Sequence, residues 1–166
     1  MVTTSLLGQS KELLREAAEA YAPSVLASSL GAEDMVLLDL IAQLSLPIRV
    51  FTLDTGRLPQ ETYDLLQMAR ARYDLPIAVF APESGDIERY IAAHGPNGFY
   101  DSVALRQECC HLRKVKPLQR ALAGQKSWVT GLRRSQSAGR SNIAVKEWDA
   151  KHRLEKFNPL ADWSWA

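Results

Sequence analysis

The stretch that most limits what this chain can fold into runs from residue 24 to residue 46. It holds a short apolar run (Ser24-Val25-Leu26-Ala27), then SSLGAED over 28–34, then an apolar series at helical spacing over 35–46. An apolar run, a small-residue turn and a 3.6-residue period in direct succession predict a strand, a tight loop and a helix. Such a junction suits an anion. Ser28, Ser29 and Gly31 leave room for backbone N–H groups to approach a phosphate or sulfate, and the helix, beginning near Asp34, points its positive end there. The same junction also serves in many α/β proteins as nothing more than a tight connection with an N-cap.

The chain around it repeats the alternation. Residues 10–20 read as an amphipathic helix with Ser10 as its N-cap, and Pro47 stops the second helix before a strand over 48–53. Pro59 opens a helix over 60–73, with Glu61 in its first turn and Arg70 and Arg72 in its last, and a strand over 76–80 follows. Asp86 is expected to cap a short helix through Ala93, which residues 94–98 break. Residues 107–123 look helical with a break near Lys116, because Pro117 cannot continue a helix. Residues 127–130 read as a strand, residues 142–148 and 153–157 as a two-stranded excursion around a charged turn, and Asp162 as the N-cap of a helix over Trp163, Ser164 and Trp165. Strands alternating with helices predict an α/β fold with a doubly wound, mostly parallel sheet, whose ligands sit beyond the carboxyl ends of the strands.

Length and charge narrow the class. At 166 residues, 46% of them hydrophobic, the chain suits one domain with a core. Twenty Lys and Arg against nineteen Asp and Glu leave a formal charge of +1, so no overall field favours nucleic acid or an anionic membrane. No run is long enough to span a bilayer and no basic-then-apolar leader opens the sequence, so a cytoplasmic protein is expected. The two cysteines would then lie in a reducing compartment. Oligomeric state is not fixed by these features, and a homo-oligomer is left open.

Three constellations carry chemistry. LDTGRLPQET over 53–62 puts Asp54, Thr55, Gly56 and Arg57 just past a strand that ends at Leu53, beside the Ser28 loop if the first two strands are neighbours. These groups could meet a ribose, a base edge or a phosphate, or Asp54 could simply close an Asx turn. GLRRSQSAGR over 131–140 offers Arg133, Arg134 and Arg140 with Gln136 and Ser137, in a glycine-containing loop that no core needs. Guanidinium forks match phosphate or sulfate oxygens, although a solvated basic loop has the same composition. Cys109 and Cys110 are adjacent. Their Cα atoms lie about 3.8 Å apart across a trans peptide, short of the roughly 4.4–6.8 Å of a relaxed disulfide. Two thiols facing different ways can ligate different irons of one cluster, or can pack as small hydrophobes. A zinc site with His94, His111 or His152 lacks CxxC or HxxxH spacing.

SSLGAED, LDTGRLPQET, ECCHLRKVKPLQRAL, SWVTGLRRSQSAGR and KFNPLADWSWA, in that order, resemble the assimilatory sulfonucleotide reductases, which reduce adenylyl sulfate (APS) or its 3′-phosphorylated form (PAPS). The resemblance implies a fold similar to the adenine nucleotide α-hydrolases, with the Ser28 loop binding the nucleotide and the arginine loop covering its phosphosulfate. It implies that Cys109 and Cys110 are half of the ligand set of a [4Fe-4S] cluster found in the APS-using branch, and that Lys114 links cluster and substrate electrostatically. It implies thioredoxin- or glutaredoxin-dependent reduction of APS to sulfite and AMP. The nucleophilic cysteine of that reaction is expected beyond Ala166, in a tail that follows a Cys-x-x-Cys pair. Residues 1–166 are therefore expected to form a single nucleotide-binding reductase domain, incomplete at its C-terminus and unable to turn over alone. The other readings are a PAPS reductase, an ATP pyrophosphatase or a nucleotide-binding module of the same fold. An ATP pyrophosphatase would carry an SGGxDS-like loop, where this chain has Ala32 and Met35.

Overall fold

The computed structural model describes residues 5–164. Helix α1 (Leu6–Glu19) precedes β1 (Ser24–Ala27), α2 (Ala32–Gln43), β2 (Ile48–Leu53), α3 (Gln60–Tyr73), β3 (Ile77–Phe80) and α4 (Ser84–His94). Then come α5 (Val103–Cys110), a π-helical segment (His111–Val115), α6 (Lys116–Leu122), β4 (Ser127–Val129), β5 (Lys146–Asp149) and β6 (Leu154–Phe157). The strands form one sheet in the order β3-β2-β1-β4-β6-β5. All neighbours are parallel except β5 and β6. The doubly wound, mostly parallel α/β sheet expected from the alternation is what the chain forms.

The period of two along the strands explains the layers. Leu26 and Val50 face a core built with Leu14, Ala17, Leu37, Leu38 and Ile41 from α1 and α2, while Val25, Phe51 and Leu154 face Ala121 and Leu122 of α6. Strands covered on both faces need apolar residues at successive positions, which is why these runs read as nearly continuous hydrophobic segments. From β1 the chain winds outward to β2 and β3, and later outward the other way to β4. A crevice therefore opens between the carboxyl ends of β1 and β4. No helix among the described residues is long and apolar enough to cross a membrane.

Several local expectations change. Ser5, not Ser10, caps α1, its side chain accepting from the Gly8 N–H at 3.1 Å. Ser10 is fully buried and its hydroxyl serves tertiary structure, donating to the Pro159 carbonyl at 2.6 Å and accepting from the Trp163 indole N–H at 3.1 Å. Helix α4 begins two residues before Asp86, whose carboxylate pairs with Arg89 and Lys116. The break expected near Lys116 is a π-helical turn: Pro117 has no N–H for the carbonyl of Arg113, and the widened turn absorbs the missing bond. The hairpin is no excursion but the outer edge of the main sheet, because β6 pairs with β4. Residues 159–162 form a turn rather than the cap of a helix, with Trp163 held by its indole bond to Ser10 and its N–H bond to the Leu160 carbonyl. Trp165 lies outside the described residues.

Candidate nucleotide site

The crevice between β1 and β4 is a cavity of about 510 Å³. Its walls are the ends of β1 and β2 (Ala27, Phe51, Thr52, Leu53), the loops after them (Ser28, Ser29, Thr55, Leu58), the start of α2 (Glu33, Asp34) and the segment after β4 (Thr130, Gly131, Leu132). Thr62, Leu118 and Trp128 add to the apolar side, and Lys114, Gln136 and Arg140 add polar groups. An apolar floor with a few convergent polar groups is the make-up of a small-ligand site. The first two strands are neighbours, so the Ser28 loop and the 53–62 segment do meet.

The Ser28 loop differs from the open cradle its composition suggests. Ser29 donates both its N–H and its hydroxyl to Oδ2 of Asp34, at 2.6 and 2.7 Å, and the Leu30 N–H is bonded to the Ser28 hydroxyl at 3.1 Å. These N–H groups are engaged within the loop. The positive end of α2 is met by Glu33 and Asp34 in its own first turn. Burial raises the Asp34 pKa above its ordinary value, and the charge of Glu33 adds to this, while the two bonds from Ser29 and one from the Gly131 N–H oppose it. Gly131 lies against this carboxylate so tightly that no side chain fits there.

In the second loop Leu53 and Thr55 line the cavity, whereas Asp54 and Gly56 form its turn. Oδ1 of Asp54 accepts from the Gly56 N–H at 2.8 Å and from the Tyr63 hydroxyl at 2.9 Å, so Asp54 closes the Asx turn. Gly56 has φ +72, a conformation that favours glycine. Beneath it lies Arg113, buried and donating to the Thr55 carbonyl at 2.6 Å. Arg113 thereby ties the segment after the cysteines to this loop.

All three arginines of the loop make bonds within the protein. Arg133 is buried, contrary to the expectation of a loop no core needs. Its Nε and Nη2 both donate to Oε1 of Glu33 at 2.8 Å, and Nη1 donates to Ser135 at 2.7 Å. Arg134 bonds the Ile143 carbonyl at 2.6 Å and pairs with Asp162. Gln136 donates to Glu33 at 3.1 Å and accepts from Arg140. Burial pushes the Glu33 pKa up, but its backbone bond and the bonds from Arg133 and Gln136 outweigh this and hold the carboxyl below its usual range. Gln136 and Arg140 line the cavity; Ser137 is exposed and lines no part of it.

Cys109 and Cys110 end α5, the first buried and the second exposed, both as free thiols. Among the described residues no three His, Cys, Asp or Glu side chains come together as a metal site. The pair thus fits a cluster only as two of its four ligands. Lys114, in the π-helical segment that follows, connects this region to the cavity wall. Sequence reasoning missed Glu33, Thr52, Thr62, Trp128 and Thr130. Of these, Trp128 and Thr130 carried a usable signal, since they stand at the carboxyl end of a strand bordering the switch point.

Residues 23–166 match the family model described as "Phosphoadenosine phosphosulfate reductase domain". The chain is 53% identical over 153 residues to the adenosine 5′-phosphosulfate reductase of Allochromatium vinosum, covering 92% of this chain and 60% of that protein. The enzyme of the same name from Burkholderia cepacia is 47% identical over 152 residues, covering 92% and 61%. A crystal structure of phosphoadenylyl-sulfate reductase from Candida auris, in a phosphate complex, superposes with a TM-score of 0.79 at 27% identity, covering 94% of this chain and 74% of that one. Yeast FAD synthetase shares the fold alone, with a TM-score of 0.52 at 14% identity. The chain spans about three fifths of the length of the two curated relatives.

Proposed function

The chain belongs to the phosphoadenosine phosphosulfate reductase domain family, and from that premise we propose that it is the nucleotide-binding part of a cytoplasmic enzyme that reduces adenylyl sulfate to sulfite and AMP. The observation that carries this reading is the cavity at the β1/β4 switch point, which joins an apolar floor to Lys114 and Arg140. Phe51, Leu53, Leu118 and Trp128 suit a purine, and the two cations suit the phosphosulfate. Adenylyl sulfate is preferred over its 3′-phosphorylated form because the chain carries the adjacent cysteines and because relatives near 50% identity bear the name adenosine 5′-phosphosulfate reductase.

The residues of this chain bind and orient. The engaged N–H groups of the Ser28 loop make it a shaped wall, and Lys114 and Arg140 supply charge where negative oxygens gather. Cys109 and Cys110 would supply two of the four thiolates of a [4Fe-4S] cluster, which carries net negative charge when so ligated, and Lys114 would offset that charge. The sulfur-attacking thiolate that the resemblance implies is that of a cysteine other than Cys109 and Cys110, which are kept for the cluster. In the proposed reaction it bonds to the sulfur of adenylyl sulfate as the S–O bond to AMP breaks, and a thioredoxin or glutaredoxin dithiol then releases sulfite as it is oxidised.

Calorimetric titration of this chain with adenylyl sulfate, its 3′-phosphorylated form, AMP and ATP tests the reading. Adenylyl sulfate is expected to bind tightest. A preference for ATP would move the chain to the ATP pyrophosphatases of the same fold, and a preference for the 3′-phosphorylated nucleotide would reverse the substrate assignment.

A further inference from the structure

Residues 130–145 leave the sheet at the end of β4 and return to it at the start of β5, and β6 lies between those two strands. The residue that follows β6 is Asn158. It stands between the two ends of the excursion and is fully buried there. Its amide uses both of its chemistries. Oδ1 accepts from the Thr130 hydroxyl at 2.5 Å at the outgoing end, and Nδ2 donates to the Ala144 carbonyl at 2.8 Å at the returning end. Its backbone N–H donates to the Val145 carbonyl, also at 2.8 Å.

The segment after Asn158 continues the grip. The Arg134 N–H donates to the Ala161 carbonyl at 2.9 Å, the Arg134 guanidinium pairs with Asp162, and the Ser135 hydroxyl donates to the Trp163 carbonyl at 3.4 Å. This segment is itself anchored to α1 through Ser10, which bonds both Pro159 and Trp163. The loop that brings Gln136 and Arg140 to the cavity is mounted on residues 158–163.

We propose that Asn158 is a positioning residue: by closing the stem of the arginine loop it fixes where Gln136 and Arg140 stand over the cavity, without lining the cavity itself. That the loop so placed covers a nucleotide rests on the function proposed above; that Asn158 sets its position does not. Asparagine suits the post because it is donor and acceptor at once. Aspartate would accept from Thr130 but turn a lone pair toward the Ala144 carbonyl, and alanine would leave the buried Thr130 hydroxyl and the half-buried Ala144 carbonyl unmet.

Hydrogen exchange on the 166-residue chain, wild type against Asn158→Ala and Asn158→Asp, tests this. Amides of residues 131–145 are expected to lose protection by about tenfold or more while those of β1 and β2 keep theirs, and AMP is expected to bind about tenfold more weakly. Equal loss across the sheet, or an unaffected loop, would overturn the proposal. Should the variants fail to fold, wild-type exchange in rising urea decides: the Arg134 and Asn158 amides should open together, and earlier, independent opening of Arg134 would count against the clamp. A wild-type chain that binds no AMP would refute the nucleotide reading and leave the exchange contrast to decide the role of Asn158.

Discussion

A Cβ built on Gly131 would stand 2.3 Å from Oδ1 of Asp34 and 3.2 Å from the Asp34 backbone nitrogen. The first residue of the arginine loop thus packs closely on the first turn of α2, and both line the cavity between β1 and β4. Gly131→Ala must push them apart. Because part of the obstacle is backbone, the expected loss of stability is about 2 kcal/mol, read by urea unfolding, with weaker binding of AMP by calorimetry. Wild-type stability and affinity would show that the two segments can part freely.

The Asp34 carboxyl gives the protein a pH dependence of defined sign. Burial raises its pKa above the ordinary 3.8, so the native state keeps this proton to higher pH than the unfolded chain does. The contribution of the group to stability is therefore fully present below pH 3.8 and declines as pH rises through the interval up to the raised value. Unfolding free energies of the wild type and Asp34→Asn, measured from pH 3 to pH 7, should show the wild type losing ground as pH rises. A gap that widens in favour of the wild type would mean that the bonds from Ser29 dominate over burial.

Glu33 receives two nitrogens of Arg133 on one oxygen, with both side chains largely out of water. Removing one partner of such a pair is far more damaging than deleting a surface ion pair, so Glu33→Gln should destabilise the chain by on the order of 2–3 kcal/mol. It should also loosen Gln136, which bonds the same oxygen. A loss below about 0.5 kcal/mol would place the pair among weak surface contacts.

Lys114 lines the cavity from the π-helical segment and is exposed. Lys114→Ala should weaken adenylyl sulfate binding roughly tenfold, and AMP binding less, because a charge-assisted contact to the outer anionic group is lost. The effect should shrink at high salt, and Lys114→Arg should restore part of it. Equal losses for the two nucleotides would place the lysine away from the sulfate.

Elements bounded by their own local chemistry were legible in the sequence. Residues 60–73 emerge with the expected ends because Pro59 opens the helix and its charges follow the dipole, and residues 48–53 because Pro47 precedes them. Ser10 misled because a serine ahead of a helix-periodic run looks like a cap, whereas its partners, Pro159 and Trp163, are remote in sequence. The arginine loop was legible as a site but not in its division of labour. Which guanidinium faces a ligand and which is spent on a carboxylate depends on Glu33 and Asp162, distant residues whose approach only the folded sheet decides.

The π-helical turn at His111–Val115 gives the length of this segment a meaning of its own. Such a turn accommodates one residue more than an α-helix would. Because the widened turn takes up that extra residue, loss of a single codon within it would leave Cys109 and Cys110 facing nearly as they do now, whereas loss of one from α6 would swing them by about 100° relative to the rest of that helix. In that second case the thiols would face a different neighbour although both were still encoded. These few codons are thus where a small deletion is absorbed without turning Cys109 and Cys110 away from the side of the helix they now face.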